Sequence, residues 1–150
     1  MQPARDPAGQ GDRLHLVFLA SPDAIRDNLA FMLERLPLCQ LTPDGRGTAE
    51  LVLAEVLNNV AEHAYAERTG SVAVTLTRVQ AGIACLVVDQ GHPMPGDCLP
   101  QGRLPRVDVA IEDLPEGGFG WHLIRSLTVE LSYKRVHGCN RLSFLLPGHE

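Results

Sequence analysis

The 150-residue sequence has no Lys/Arg run, no apolar stretch near the ~20 residues a bilayer-spanning helix needs, and no Cys-x-x-Cys pair. Each absence removes a class of function. With a formal net charge of -5 and a pI of about 5.6, the chain has no general attraction for a polyanion, so nucleic acid is not expected as a direct partner. No membrane segment is expected, and the opening "MQPARDPAGQGD" lacks the hydrophobic stretch of a signal peptide, so a cytoplasmic location is expected. The four cysteines, Cys39, Cys85, Cys98 and Cys139, lie far apart, which fits a reducing compartment and argues against a zinc knuckle. Repeats and low-complexity tracts are absent as well. At 45% hydrophobic, the chain suits a single globular domain with a real core.

Residues 1–12 are rich in Pro, Gly and charge and read as a flexible N-terminal tail, leaving 13–150 for the domain. "RLHLVFLA" reads as a strand. The next segment, "SPDAIRDNLAFMLERL", opens with Ser21 as N-cap, Pro22 at the first helical position and Asp23 in the first turn, and places Ile25, Leu29, Met32, Leu33 and Leu36 at helical spacing. That helix is expected to end near Pro37. After the breaker-rich "PLCQLTPDGRG", a longer helix is expected from about Thr48 to Tyr65. "GSVAVTLTRVQAGIACLVVDQG" then reads as two strands joined at Gln80-Ala81-Gly82. Residues 90–118 hold Pro93, Pro95, Pro100, Pro105 and Pro115, with only a short helical possibility at "VDVAIED". A connection longer than ~12–15 residues is uncommon in a compact domain unless it is functional or disordered, so this one reads as a lid. A third helix to about Leu127 and a hairpin from "TVELSYKRV", "HGCN" and "RLSFLLP" complete the chain. The expected class is α+β: a two-layer α/β sandwich whose mixed, mostly antiparallel sheet is covered on one face by helices.

Three features carry chemistry. On the long helix, Leu53, Val56, Leu57, Val60 and Ala64 fall on one side, while Glu55, Asn59 and Glu62 share a narrow wedge on the other with His63 at its border. Such a stripe is commonly a solvated face. Yet Asn58 and Asn59 are poor helix formers in mid-helix, and Glu55 and Asn59, at i and i+4, can converge on one cation or phosphate. At the strand end "LVVDQG", Asp89 either caps a turn or accepts a hydrogen bond from an exocyclic amine such as that of adenine, with Gly91 letting a flat ring approach. Finally, "EGGFGWHLIRSL" sets three glycines in four residues before a helix. Backbone N–H groups there, at Phe119, Gly120, Trp121 and His122, would suit a phosphate.

In this order and spacing, "EVLNNVAEHAY", "VVDQG" and "GGFGWHLIRSL" resemble the N box and the two glycine boxes of the GHKL superfamily, the histidine-kinase-like or Bergerat-fold ATPases. Within it the chain is most similar to the anti-sigma-factor serine kinases of the RsbW and SpoIIAB type. "GCNRLSFLLP" resembles the closing strand motif. The resemblance spans nearly the whole chain after residue 12 and implies an ATP–Mg²⁺ site under a lid at about 90–118. It implies Glu55 as general base, Asn59 as the Mg²⁺ ligand and Asp89 with Gly91 as the adenine reader. Gly118 and Gly120 would be phosphate-binding glycines, with Phe119 and Trp121 beside them, and His63 would lie next to the nucleotide.

By the same resemblance the chain would phosphorylate a serine of a STAS-domain antagonist, an anti-anti-sigma protein, and sequester a sigma factor or analogous regulator. It would also form a homodimer. Two departures stand out: Glu116 occupies a place where some relatives carry an arginine, so that Arg103, Arg106 or Arg125 would have to contact the γ-phosphate, and "HPMPGDC" is an unusual lid opening that bears on whether Met94 covers the base. The alternatives are a catalytically silent, ATP-gated binding module and a stand-alone histidine-kinase-type catalytic domain, for which the chain offers no dimerisation helix pair.

Overall fold

The structure is a computed structural model that describes residues 12–66, 68–100 and 119–148. The strands are β1 (Arg13–Leu19), β2 (Ser71–Val79), β3 (Gly82–Asp89), β4 (Val129–Val136) and β5 (Cys139–Pro147), and the helices are α1 (Pro22–Leu33), α2 (Pro43–Asn59) and α3 (Phe119–Leu127). The sheet runs β1-β2-β3-β5-β4, and all four pairings are antiparallel. A mixed, mostly antiparallel sheet was expected; among the described residues no parallel pair occurs. The expected tail, all but its last residue, and the lid from 101 to 118 with its "VDVAIED" segment, Arg103, Arg106, Glu116 and Gly118, lie outside the described residues.

Strand alternation explains how the layers meet. Val72, Val74 and Leu76 of β2, Ile83, Cys85 and Val87 of β3, and Leu142, Phe144 and Leu146 of β5 are buried in one cluster with Ile25, Leu29 and Met32 of α1, Leu53, Val56 and Leu57 of α2, and Ile124 of α3. The opposite face carries Arg13, Thr75, Thr77, Ser132, Lys134, Arg141 and Ser143 around a shallow depression. Helix α2 packs on both α1 and α3 and so forms the centre of the helical layer. Burial pushes the Cys85 thiol well up, which makes it an inert core group. None of the described helices is long and apolar enough to cross a membrane.

The first helix starts as the sequence dictates: the Ser21 hydroxyl accepts from the Ala24 N–H at 3.3 Å, with Pro22 and Asp23 in the first turn. It stops at Leu33, before Leu36. The second helix begins earlier than expected, at Pro43 instead of Thr48, because Thr42 repeats the same device: its Oγ1 accepts from the Gly45 N–H at 3.1 Å, and Pro43-Asp44 follows. Each such cap stabilises its helix by about 1 kcal/mol. Regular α2 then ends at Asn59, and Val60–Ala64 forms a wider π turn closed by the Tyr65 N–H to Val60 carbonyl bond at 3.0 Å. The β4–β5 connection is tighter than the "HGCN" reading, with His137 and Gly138 alone turning the chain at φ 50° and 77°. Positive φ at both positions is the geometry that matches strand twist in a short hairpin.

Candidate functional site

A cavity of about 500 Å³ opens between the C-terminal end of α2, the end of β3 and the start of α3, a size usual for small-ligand sites. Val56, Val60, Val87 and Leu142 floor it, and Met94, Pro95 and Pro100, from the first part of the segment expected to be a lid, line one side. Of the residues singled out in the sequence, Asn59, His63, Asp89 and Trp121 line it. They come from three separate elements. Glu62, in contrast, is solvent-exposed, and its carboxylate lies 3.9 Å from the His63 ring.

The π turn sets the α2 side. Ala64 is the last residue of that turn, and its free carbonyl accepts from the His92 N–H at 2.8 Å, which ties the helix end to the segment after β3. Gly91 passes directly against that carbonyl: a Cβ there would overlap the carbonyl carbon and oxygen of Ala64. The glycine expected to admit a flat ring is therefore required first by its own backbone neighbour. Gly91 is not itself part of the cavity lining.

Glu55 and Gly120 also stand outside the lining, beside one another. A Cβ on Gly120 would meet the Glu55 Oε2, so the absence of a side chain at the start of α3 is what admits the carboxylate. Trp121, only 6% exposed, packs its ring into the cavity wall one residue on. Arg125 is occupied elsewhere: its Nε donates to the Pro100 carbonyl at 2.9 Å and its Nη2 to that of Leu99 at 3.4 Å. Among the described residues no lysine or arginine lines the cavity.

At the strand end Asp89 is buried, 6% exposed. Its Oδ1 accepts from the Gly91 N–H at 2.8 Å, an Asx turn, and from Asn140 Nδ2 at 2.8 Å. The turn-capping reading of Asp89 is met by this oxygen, and the residue also lines the cavity. Burial holds its carboxyl above the ordinary aspartate range, an effect opposed by the bonds from Asn140 and Gly91 and by the nearby Arg135 charge.

Tyr133 and Asn140 line the cavity too, and the sequence reading missed them. Asn140 had a signal: it stands in phase with Leu142, Phe144 and Leu146 on the inward face of β5, where a polar residue needs partners. Tyr133 had none beyond being a tyrosine in an edge strand.

The donor set can be tested against a magnesium nucleotide. Among the described residues, Asn59 Nδ2 is a buried side-chain polar atom with no hydrogen-bond partner. This N–H₂ donor, at the cavity, suits an oxygen-rich ligand, and the Oδ1 of the same amide is the atom able to face a cation that such a ligand carries. With Asp89 as an acceptor at the far end and apolar walls between, the residues fit ATP and Mg²⁺.

The architecture is a two-layer α+β domain with a ligand-sized cavity between its helices and the end of its sheet, and comparison with known proteins gives it a family. The chain belongs to the family described as "Histidine kinase-like ATPase domain", which it matches over residues 18–146. It is similar to the serine-protein kinase RsbW of Bacillus cereus and of Bacillus anthracis, in each case 25% identical over 91 residues, covering 59% of this chain and 56% of the relative. The chain thus spans about half the length of the curated relatives it matches. Its fold is similar to the crystal structure of the RsbU and RsbW domains of Rv1364c from Mycobacterium tuberculosis, with a TM-score of 0.58 and 17% identity, covering 91% of this chain and 32% of that one.

Proposed function

We propose that this domain binds ATP with Mg²⁺ in the cavity and phosphorylates a serine of a STAS-domain antagonist, an anti-anti-sigma protein, while sequestering a sigma factor or analogous regulator when that antagonist is absent. The observation that carries this reading is the convergence of Asp89, Asn59 and Trp121, from three different elements, on one cavity. The likeness to kinases named RsbW supports the substrate class.

Bound ATP–Mg²⁺ would supply the phosphoryl group and neutralise its charge, and the remaining work falls to the chain's own residues. Asp89 accepts from the base's exocyclic amine. Trp121 and Met94 enclose the apolar part, the Asn59 amide holds the phosphate–metal end, and the N–H groups at the start of α3 point toward anionic oxygens. Glu55 takes the proton of the incoming serine hydroxyl as its oxygen bonds to the γ-phosphorus and the bond to the ADP oxygen breaks. Gly118 and Phe119 are assigned to the same phosphate end, His63 to its rim, and two copies of the chain to a homodimer.

Incubation with γ-labelled ATP, Mg²⁺ and a STAS-domain partner tests the proposal. Label should appear on the partner, and Glu55→Gln should abolish it while ATP affinity stays within about twofold; persistent labelling would remove Glu55 from the base role. A second reading, an ATP-gated binding module without turnover, is favoured by one observation: Arg125 is committed to the Leu99 and Pro100 carbonyls, and no other described cation reaches the cavity. Clear ATP binding with no label on any partner would select it.

A further inference from the structure

The amide of Asn140 makes four hydrogen bonds. Nδ2 donates to Asp89 Oδ1 and to the His92 carbonyl, both at 2.8 Å, while Oδ1 accepts from the Tyr133 hydroxyl at 2.6 Å and from Arg135 Nη1 at 3.0 Å. Two donors and two acceptor positions are all that an amide offers, so the group is saturated. Its direction is also determined. Arginine has only donors, so the amide atom facing Arg135 must be the oxygen. The Tyr133 oxygen already accepts from the Met94 N–H at 3.0 Å, which sends the tyrosine's own proton to the same amide oxygen. Arg135 is anchored in turn by donating to the Gly91 carbonyl at 2.7 Å.

Every bond that reaches the carboxylate therefore runs one way. Donors from Met94, Tyr133 and Arg135 fix the amide, and the amide and the Gly91 N–H fill Asp89 Oδ1. Among the described residues Oδ2 has no hydrogen bond, and Asp89 lines the cavity. The two hydrogen bonds donated to Oδ1 favour the ionised carboxylate, and the partner that its Oδ2 accommodates is a donor.

We propose that Asn140, with its amide direction set by Tyr133 and Arg135, is the specificity-determining residue of the site. It keeps Asp89 an acceptor, so the cavity takes a purine bearing an exocyclic amine and discriminates against one bearing a carbonyl at that position. The inference rests on the reading of the cavity as a nucleotide site. Polar sites discriminate strongly in this way because the wrong substituent leaves buried groups opposed or unpaired. Tyr133 and Arg135 are positioning residues: both hold the Asn140 amide, and Arg135 also sets its charge near Asp89.

The test is binding of ATP and of inosine triphosphate, measured calorimetrically on the full chain, with thermal melts reporting folding. The wild type should prefer ATP by tenfold or more. Tyr133→Phe alone should keep that ratio, since Arg135 still fixes the amide. Tyr133→Phe with Arg135→Met should cut the ratio about tenfold by freeing the amide to turn, and Asn140→Asp, which sets two carboxyls to share a proton and lets one become a donor, should do so at least as strongly. On an Asp89→Asn background, where the reader can itself turn, the double change should add nothing. A network that merely holds the lid entrance would weaken both nucleotides equally and leave the ratio alone, which would overturn the proposal while sparing the nucleotide reading. Failure of the wild type to bind either nucleotide would overturn both.

Discussion

At the strand end of the cavity, Asp89 Oδ1, Asn140, Tyr133 and Arg135 are joined in a network in which the buried amide is fully bonded. At the α2 end, among the described residues, Asn59 carries a buried amide nitrogen with no partner, and Glu55 rests beside a glycine rather than in the cavity lining. A saturated network rigidifies and discriminates, whereas an unmet donor costs folding stability of roughly 1–3 kcal/mol until a ligand supplies the missing partner. On the proposed reading, the contrast describes a site whose base end is built in advance and whose phosphate end is completed by what binds.

Breaking the junction between the two ends has the largest expected effect. Gly91→Ala forces a methyl into the Ala64 carbonyl, and the backbone shift should cost about 1–3 kcal/mol of stability and weaken nucleotide binding, read by urea denaturation and calorimetry. A variant as stable as the wild type would mean that the close approach to Ala64 is not maintained in solution. Removing a cap far from the cavity should be milder: Thr42→Ala should cost about 1 kcal/mol in the same denaturation assay and leave nucleotide affinity unchanged, which separates general stability from the site.

The smallest effect is a slope. The Asp89 carboxyl titrates above the ordinary aspartate range in the folded chain, so between the unfolded and folded values the native state holds a proton that the unfolded chain has released. Stability must then fall as pH rises through that window. Asp89→Asn should flatten this part of the stability–pH curve relative to the wild type; an identical slope in both would show that the buried carboxyl is not its source.

Much of this was legible in the residues, and the exceptions have physical causes. Ser21-Pro22-Asp23 announced the start of α1, and the same signature at Thr42-Pro43-Asp44 was masked by Gly45 and Gly47, which read as breakers although a capped helix packed against its neighbours carries them. The buried stripe from Leu53 to Ala64 followed from helical periodicity, whereas the π turn at Val60–Ala64 did not, since no residue type in that run marks a change from α to π bonding. Asn59 was visible as a polar residue where helix propensity would not choose it, and Asp89 as a carboxylate at a strand end. Tyr133 and Arg135 were not, because their role exists only once β4 lies beside β5 and the lid entrance folds over both. Glycine at 91 was recognised as a position of close approach, but only the tertiary contact shows that a backbone carbonyl is what approaches.

The central claim, that the two ends of the cavity are separable, is tested most directly by titrating adenosine and Mg-ATP into the wild type and Asn59→Leu. The account predicts that adenosine binds both proteins alike, that the added affinity of Mg-ATP over adenosine is largely lost in the variant, and that the variant without ligand is at least as stable as the wild type because an unpartnered amide has been removed. Equal weakening of adenosine and Mg-ATP, or full retention of the Mg-ATP advantage, would contradict it.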